Sequence, residues 1–178
     1  GSGYTSFTGK AYIFNVTTGA LVHTIDNPDD AADANFGYAV GISGNNAIVG
    51  AQGASSYSGK AYIFNVSTGA LLHTLSNPNA YDSVSGDRFG FSVSIADNYA
   101  LIGAVYEDDA GGNNSGKAYV FNVSTGALLR TIDNPNDYGT SAGDNFGGSV
   151  AISGTTGIVG AYDEDDAGGD SSGKAYIF

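Results

Sequence analysis

The chain has no cysteine, no methionine and no tryptophan, only 3 prolines, and 6 basic residues against 18 acidic ones. Each shortage excludes something. Without cysteine there is no disulfide, no thiolate metal site and no thiol nucleophile. A formal charge of −12 lacks the clustered cations that neutralise a phosphate backbone, so nucleic acid is not an expected partner. The same charge disfavours docking on an anionic lipid surface. No apolar run approaches the ~18 residues that a membrane-crossing helix needs, so membrane insertion is not expected. The missing methionine leads us to expect a processed product or a segment of something longer. In a chain that starts inside a repeat, the lack of a visible leader says nothing about secretion.

What the chain has in abundance is glycine, 28 residues of it, and repetition. The tetrapeptide Gly-Lys-Ala-Tyr begins at Gly9, Gly59, Gly116 and Gly173, giving offsets of 50, 57 and 57 residues. Such a period points to a solenoid, a propeller or an open array. The chain divides into residues 1–9, the end of a preceding repeat; units 10–59, 60–116 and 117–173; and residues 174–178, the start of a further one. Neither end carries the polar cap of a finished solenoid, so both ends read as cuts through a longer series.

Each unit contains four strand signals. In Lys60–Val66, Tyr62, Phe64 and Val66 share one face and Ala61 and Ile63 the other, so both faces are apolar. Asn65-Val66-Ser67-Thr68-Gly69 is turn chemistry, with glycine available for a positive φ, and Leu71–Leu75 reads as the returning strand. A third strand begins Asn-Phe-Gly or Arg-Phe-Gly. Phe89, Phe91, Val93 and Ile95 form its large face and Gly90, Ser92, Ser94 and Ala96 its small one, which lets backbones crowd near a narrow axis. Ala47–Ala51, Ala100–Ala104 and Gly157–Ala161 form a fourth strand after a short turn. No helical period of useful length occurs. The expected fold class is all-β: tandem four-stranded antiparallel blades of the β-propeller type, three full repeats with partial ones at both ends.

Asn35-Phe36-Gly37, Arg88-Phe89-Gly90 and Asn145-Phe146-Gly147, each followed about 11 residues later by Val-Gly-Ala or Ile-Gly-Ala, resemble FG-GAP repeats, the blades of integrin-α-like propellers. The bacterial and archaeal branch looks most similar. The resemblance implies a propeller. It departs from the family where Gly50-Ala51-Gln52, Gly103-Ala104-Val105 and Gly160-Ala161-Tyr162 stand for Gly-Ala-Pro. The aspartate-rich cation loop of integrin-type blades is missing, since the hairpin at that place is only Ser43-Gly44-Asn45-Asn46.

Candidate site residues lie in the acidic loops. Glu107, Asp108 and Asp109 in one unit, and Asp163, Asp165, Asp166 and Asp170 in the next, set hard oxygen ligands beside glycines, as a Ca²⁺ loop requires. Against a helix-loop-helix calcium template, Ala167 occupies a ligand position and no closing glutamate follows. The plain alternative is a solvated acidic loop. The long connectors hold Asp29, Asp30, Asp33, Asp82, Asp87, Asp137 and Asp144, which either line a binding rim or make Asx turns around Asn-Pro. Asn113 is the expected glycan acceptor, because Asn15, Asn65 and Asn122 sit at turns where they bond their own backbone. His23 and His73 share a repeat position with Arg130, which argues for a solvent-facing site on an outer strand and against a general base. The lysine of each Gly-Lys-Ala-Tyr is expected to balance local charge, and the 12 tyrosines and 9 phenylalanines to pack the interior. With no catalytic constellation in view, no enzyme activity is expected.

The sequence therefore points to an extracellular structural or adhesive repeat protein that associates with further copies of itself, as a filament or surface layer. The alternative is a closed adhesion propeller that binds a protein or glycan ligand through rim loops, with Ca²⁺ as its one conceivable cofactor.

Overall fold

A computed structural model describes residues 8–29, 32–79, 83–110, 112–136, 140–167 and 169–178. Asp30, Asp82 and Asp137 lie outside the described residues. The order is β1 (Lys10–Phe14), β2 (Leu21–Asp26), β3 (Ala39–Ser43), β4 (Asn46–Ala51), α1 (Ala54–Tyr57), β5 (Lys60–Asn65), β6 (Leu71–Ser76), β7 (Phe89–Ala96), β8 (Tyr99–Ala104), β9 (Lys117–Asn122), β10 (Leu128–Asp133), β11 (Phe146–Ser153), β12 (Thr156–Ala161) and β13 (Lys174–Ile177). The fold is all-β apart from the single turn α1. In that turn Ser55, Ser56 and Tyr57 have φ of 54°, 60° and 63°, so it winds left-handed.

The strands form tandem antiparallel meanders: β1-β2, β3-β4-β5-β6, β7-β8-β9-β10 and β11-β12-β13. The sheets are framed half a repeat away from the sequence units. The Val-Gly-Ala strand that closes one unit pairs with the Lys-Ala-Tyr strand that opens the next, as in Ile48↔Ile63 and Val49↔Tyr62 of β4 and β5. The returning strand then ends the sheet, and the next blade begins at β7.

Local chemistry explains the turns. Asn65 Oδ1 accepts the amides of Ser67 and Thr68 at 3.0 Å, and the Gly69 amide closes on the Asn65 carbonyl at 2.8 Å with φ of 71°. Asn15 and Asn122 do the same.

Blades meet through their inner strands, β3 against β7 and β7 against β11. The small face of β7 lies in that seam: Ser92 Oγ donates to the Gly147 carbonyl at 2.6 Å, and Ser94 Oγ accepts the Ile152 amide at 3.1 Å. A Cβ on Gly50 or Gly103 would collide with the carbonyl of Gly90 or Gly147, so these blades touch backbone to backbone. One expected face is broken. Gly90, at φ of 84°, opens a bulge between Phe89 and Ser92, so Phe89 is fully buried while Phe91 leaves the large face and is only half-buried.

The core repeats with the blades. Phe36, Phe89 and Phe146 meet Tyr62, Tyr119 and Tyr176 with ring centroids 5.6, 5.8 and 6.0 Å apart. Each buried ring stabilises by ~1.5–3 kcal/mol through burial, with somewhat more from the ring geometry. The outer strands do have a wet side, contrary to the two-sided reading of the hairpin: β6 buries only Leu75 and leaves Leu71 and Leu72 exposed. At the first blades, Tyr12, Phe14, Val40 and Ile42 are 54–62% exposed, and Ile177 at the far end is 73% exposed.

Candidate functional site: buried carboxylates and an aromatic rim

The acidic loops join the second strand of a blade to its third. In the loop between β8 and β9, Asp109 and Gly112 exchange backbone bonds at 3.2 and 3.1 Å, and Gly116 donates to the Glu107 carbonyl at 2.9 Å. Asp166, Gly169, Gly173 and Glu164 repeat this between β12 and β13. Asp108 Oδ1 accepts the Asn114 amide and Asp165 Oδ1 the Ser171 amide, both at 2.7 Å. Asp163 Oδ2 accepts from Asn145 at 2.6 Å. Asp109 Oδ2 lies 3.2 Å from Lys117 Nζ, which also reaches Asp133 at 2.7 Å. Asp170 and Asn113 are exposed. Thus Asp108 and Asp165 brace their own loops, Asp109 and Asp163 bond to neighbouring segments, and among the described residues no group of three or more acids or histidines converges as cation ligands would. Lys117 is buried rather than exposed.

Glu107 and Glu164 point the other way, into the blade, and are fully buried. Oε1 of each accepts a tyrosine hydroxyl, Tyr119 for Glu107 and Tyr176 for Glu164, while among the described residues Oε2 of each lacks a hydrogen bond of good geometry. Burial pushes the Glu107 carboxyl up to about 8; the Tyr119 hydrogen bond pulls the other way, and the charge of Asp87 adds to the rise. Asp87 and Asp144 are buried too. Asp87 Oδ2 accepts from Asn77 at 2.8 Å and Asn79 at 3.1 Å, and Asp144 Oδ2 from Asn134 at 2.7 Å and Asn136 at 2.8 Å. Burial raises the Asp144 pKa.

The first blade lacks both acids. Backbone bonds place Ala54 where Glu107 and Glu164 stand, since each carbonyl accepts the glycine amide before the lysine. They place Ala34 where Asp87 and Asp144 stand, since each carbonyl accepts an amide from the loop after the second strand. There the Tyr62 hydroxyl donates instead to Asp29 Oδ2 at 2.9 Å, alongside Lys60. The Lys60 partner holds the Asp29 pKa below its ordinary value.

A second cluster gathers tyrosine and phenylalanine side chains outside the interior where the sequence places them. Arg88, forced to φ of 57° before Phe-Gly, lies 4.7 Å from the Tyr106 ring centroid and 5.5 Å from that of Tyr57. Tyr38 and Phe91 stack alongside at 5.1 Å, and Phe91 approaches Tyr106 at 6.5 Å. Tyr38, Tyr57 and Tyr162 are exposed. The signal for this rim was the arginine before Phe-Gly where the other units have asparagine.

The histidines stand on outer strands but are not wholly solvent-facing. His23 Nε2 lies 3.1 Å from the Ser67 carbonyl and His73 Nε2 3.1 Å from that of Ser124, so each half-buried ring reaches the turn of the next blade. The Arg130 guanidinium donates to the carbonyl of its neighbour Leu129 at 2.7 Å and is exposed.

The sequence pattern of the FG-GAP repeat matches residues 22–64, 79–121 and 137–178. The chain belongs to the FG-GAP repeat family. No curated protein matches this FG-GAP chain. Its fold is similar to the crystal structure of the computationally designed Ika4 protein, at a TM-score of 0.53 and 17% identity, covering 94% of this chain and 79% of that one. Among the described residues of the FG-GAP chain, no helix is long and apolar enough to cross a membrane.

Proposed function

We propose that this FG-GAP repeat domain is a non-enzymatic, extracellular structural or adhesive module that associates with further copies of its own kind by stacking blades. The observation that carries this reading is the contrast between the blades. Strands β4, β5 and β8 are buried along almost their whole length, as are Val93 and Ile95 of β7, whereas equivalent apolar residues at the two ends, Tyr12, Phe14, Val40, Ile42 and Ile177, are more than half exposed. Exposed apolar faces of this kind mark surfaces that meet another protein, and a head-to-tail joint either closes into a ring or runs on as a filament. Light scattering on the 178-residue chain is expected to give particles well above 18.0 kDa, with filaments or rings in negative stain. A monodisperse single-chain mass across micromolar to millimolar concentration overturns the reading.

The aromatic rim favours a second reading, adhesion to a protein or glycan ligand. Exposed tyrosines beside an arginine supply stacking surfaces and a forked donor on loops, where binding residues concentrate. Loss of binding in a glycan or protein array on Arg88→Ala, with assembly unchanged, is the outcome that supports it. For either scheme, calcium in the acidic loops is a separate question that a titration answers. A rise in melting temperature with millimolar Ca²⁺ supports that role, and an unchanged melting temperature removes it.

A further inference from the structure

Contacts between outer strands and turns form a series along the blades. His23 reaches the turn carbonyl of Ser67, and His73 that of Ser124. The turn glycine lies against the ring in both: a Cβ on Gly69 would come within 3.1 Å of His23 Nδ1, and one on Gly126 within 2.8 Å of His73 Nδ1. Arg130 is third in the series, yet its guanidinium turns back on its own strand. At the other end, Asn15-Val16-Thr17-Thr18-Gly19 forms the same turn, and a Cβ on Gly19 would meet nothing within 4 Å. One end has a donor facing no turn, and the other a turn facing no donor, among the described residues.

The strands repeat the same complementarity. Lys174-Ala175-Tyr176-Ile177-Phe178 is identical to Lys10-Ala11-Tyr12-Ile13-Phe14. Against β12 this pentapeptide makes the contacts of a blade's third strand. Lys174 Nζ lies 2.9 Å from Glu164 Oε1, the Tyr176 hydroxyl donates to the same carboxylate, and both Tyr176 and Phe178 set their rings against Phe146 at 6.0 and 6.1 Å. In β1 the identical Tyr12 and Phe14 are 55% and 54% exposed and meet each other at 6.4 Å. β1 carries a paired returning strand, β2, and among the described residues β13 pairs with β12 alone. Beside β13 lies a cavity of about 550 Å³ lined by Leu101, Val120, Arg130, Ile132, Gly157 and Phe178. It lies where the series of outer-strand contacts would continue.

We infer that a second copy of the chain donates its β1–β2 hairpin, residues 10–26, to the sheet β11-β12, taking the place of β13. This rests on the self-association proposed above and specifies its joint. The donated strand follows the register that β13 keeps: Ala11 opposite Gly160, Tyr12 opposite Val159, Ile13 opposite Ile158. Tyr12 takes over the bond to Glu164, and Phe14 takes over the contact with Phe146. The exchange repeats every interaction of β13, residue for residue, and adds a fourth strand. That strand fills the cavity and brings the Thr17 carbonyl under Arg130. Because the interactions lost and gained at β13 are the same, the added strand decides the direction.

The chain has no cysteine, so engineered thiols report on this joint alone. Two mixtures are oxidised, Ile13→Cys with Ile158→Cys and Tyr12→Cys with Val159→Cys; adjacent positions cover both kinds of cross-strand pair. A covalent dimer of at least one mixture is expected. A double variant, Ile158→Cys/Ile177→Cys, locks β13 in place when oxidised. Locked, it is expected to run at the single-chain mass, and on reduction to at least double that mass. The inference is overturned if the locked chain still associates, or if the wild type associates while neither mixture crosslinks; blade stacking then survives without hairpin exchange. A wild-type chain that stays single at every concentration removes stacking and exchange together.

Discussion

The first blade and the second hold the same tyrosine in the same strand and answer it differently. Tyr62 donates to Asp29, a residue of the connecting loop that is partly exposed and neutralised by Lys60. Tyr119 donates to Glu107, fully buried at the base of an acidic loop, with Asp87 buried beside it. In the first blade both acid positions are alanine, Ala34 and Ala54, and the loop between Ala51 and Lys60 is four residues shorter than that between Ala104 and Lys117. The comparison teaches that the requirement is an acceptor for the tyrosine hydroxyl. The second blade meets it with an acid whose charge is disfavoured by burial. The first meets it with an ion pair at the surface.

That difference should be visible in pH dependence, the largest expected effect. With Glu107 pushed up to about 8 in the folded chain against 4.5 for the free group, the folded state holds its proton through a window in which the unfolded state has lost it. Stability is then fully present below about 4.5 and falls as pH rises toward 8, by at most ~1.4 kcal/mol per pH unit. Glu107→Gln keeps an acceptor for Tyr119 and should flatten the decline, so urea unfolding at pH 5 and pH 8 should separate the two proteins only at the higher pH. Equal slopes would erase the contrast between the blades.

Next in size is removal of the hydroxyls. Tyr119→Phe leaves a buried carboxyl without its donor and should cost ~1–3 kcal/mol. Tyr62→Phe leaves Asp29 with Lys60 and should cost less than ~1 kcal/mol, since a partly exposed pair is worth little. Chemical denaturation of the two variants sharpens the comparison if the order holds and breaks it if reversed. Smaller still, Arg88→Asn should lose the contacts to Tyr106 and Tyr57, worth ~0.5–1 kcal/mol at an exposed site. Part of this is recovered because asparagine tolerates a φ of 57° better than arginine. Smallest is Lys10→Ala, whose exposed pair with Asp26 should leave the melting temperature unchanged.

The sequence made the blade type and the strand–turn–strand hairpin legible because both depend on near neighbours: alternation along Lys60–Val66, and Asn65 capping its own turn. The Phe-Gly strand was readable except at Phe91, because a bulge depends on how Gly90 meets the backbone of another blade. The half-repeat offset between sequence units and sheets was invisible, since period alone does not say which strand of a repeat pairs onward. In the acidic loops, composition drew attention to all the carboxylates alike. Only packing separates Asp108 and Asp165, which serve the loop, from Glu107 and Glu164, which serve the tyrosines. Asp87 and Asp144 read as ordinary turn residues because nothing in the connector's composition tells that they are buried, each accepting from two asparagines eight and ten residues upstream. Arg88 was legible as an oddity but not as a rim, because Tyr38, Tyr57 and Tyr106 come from distant stretches.

The seam at Gly50 with Gly90, and at Gly103 with Gly147, has a consequence for how such a protein changes over generations. Where main chains set the distance between neighbours, the fit is the same whichever copies are placed side by side. A gene can then lengthen or shorten by whole modules without re-matching their faces. The loops between the second and third strands are left free to differ, as the short first loop and its two acidic successors do.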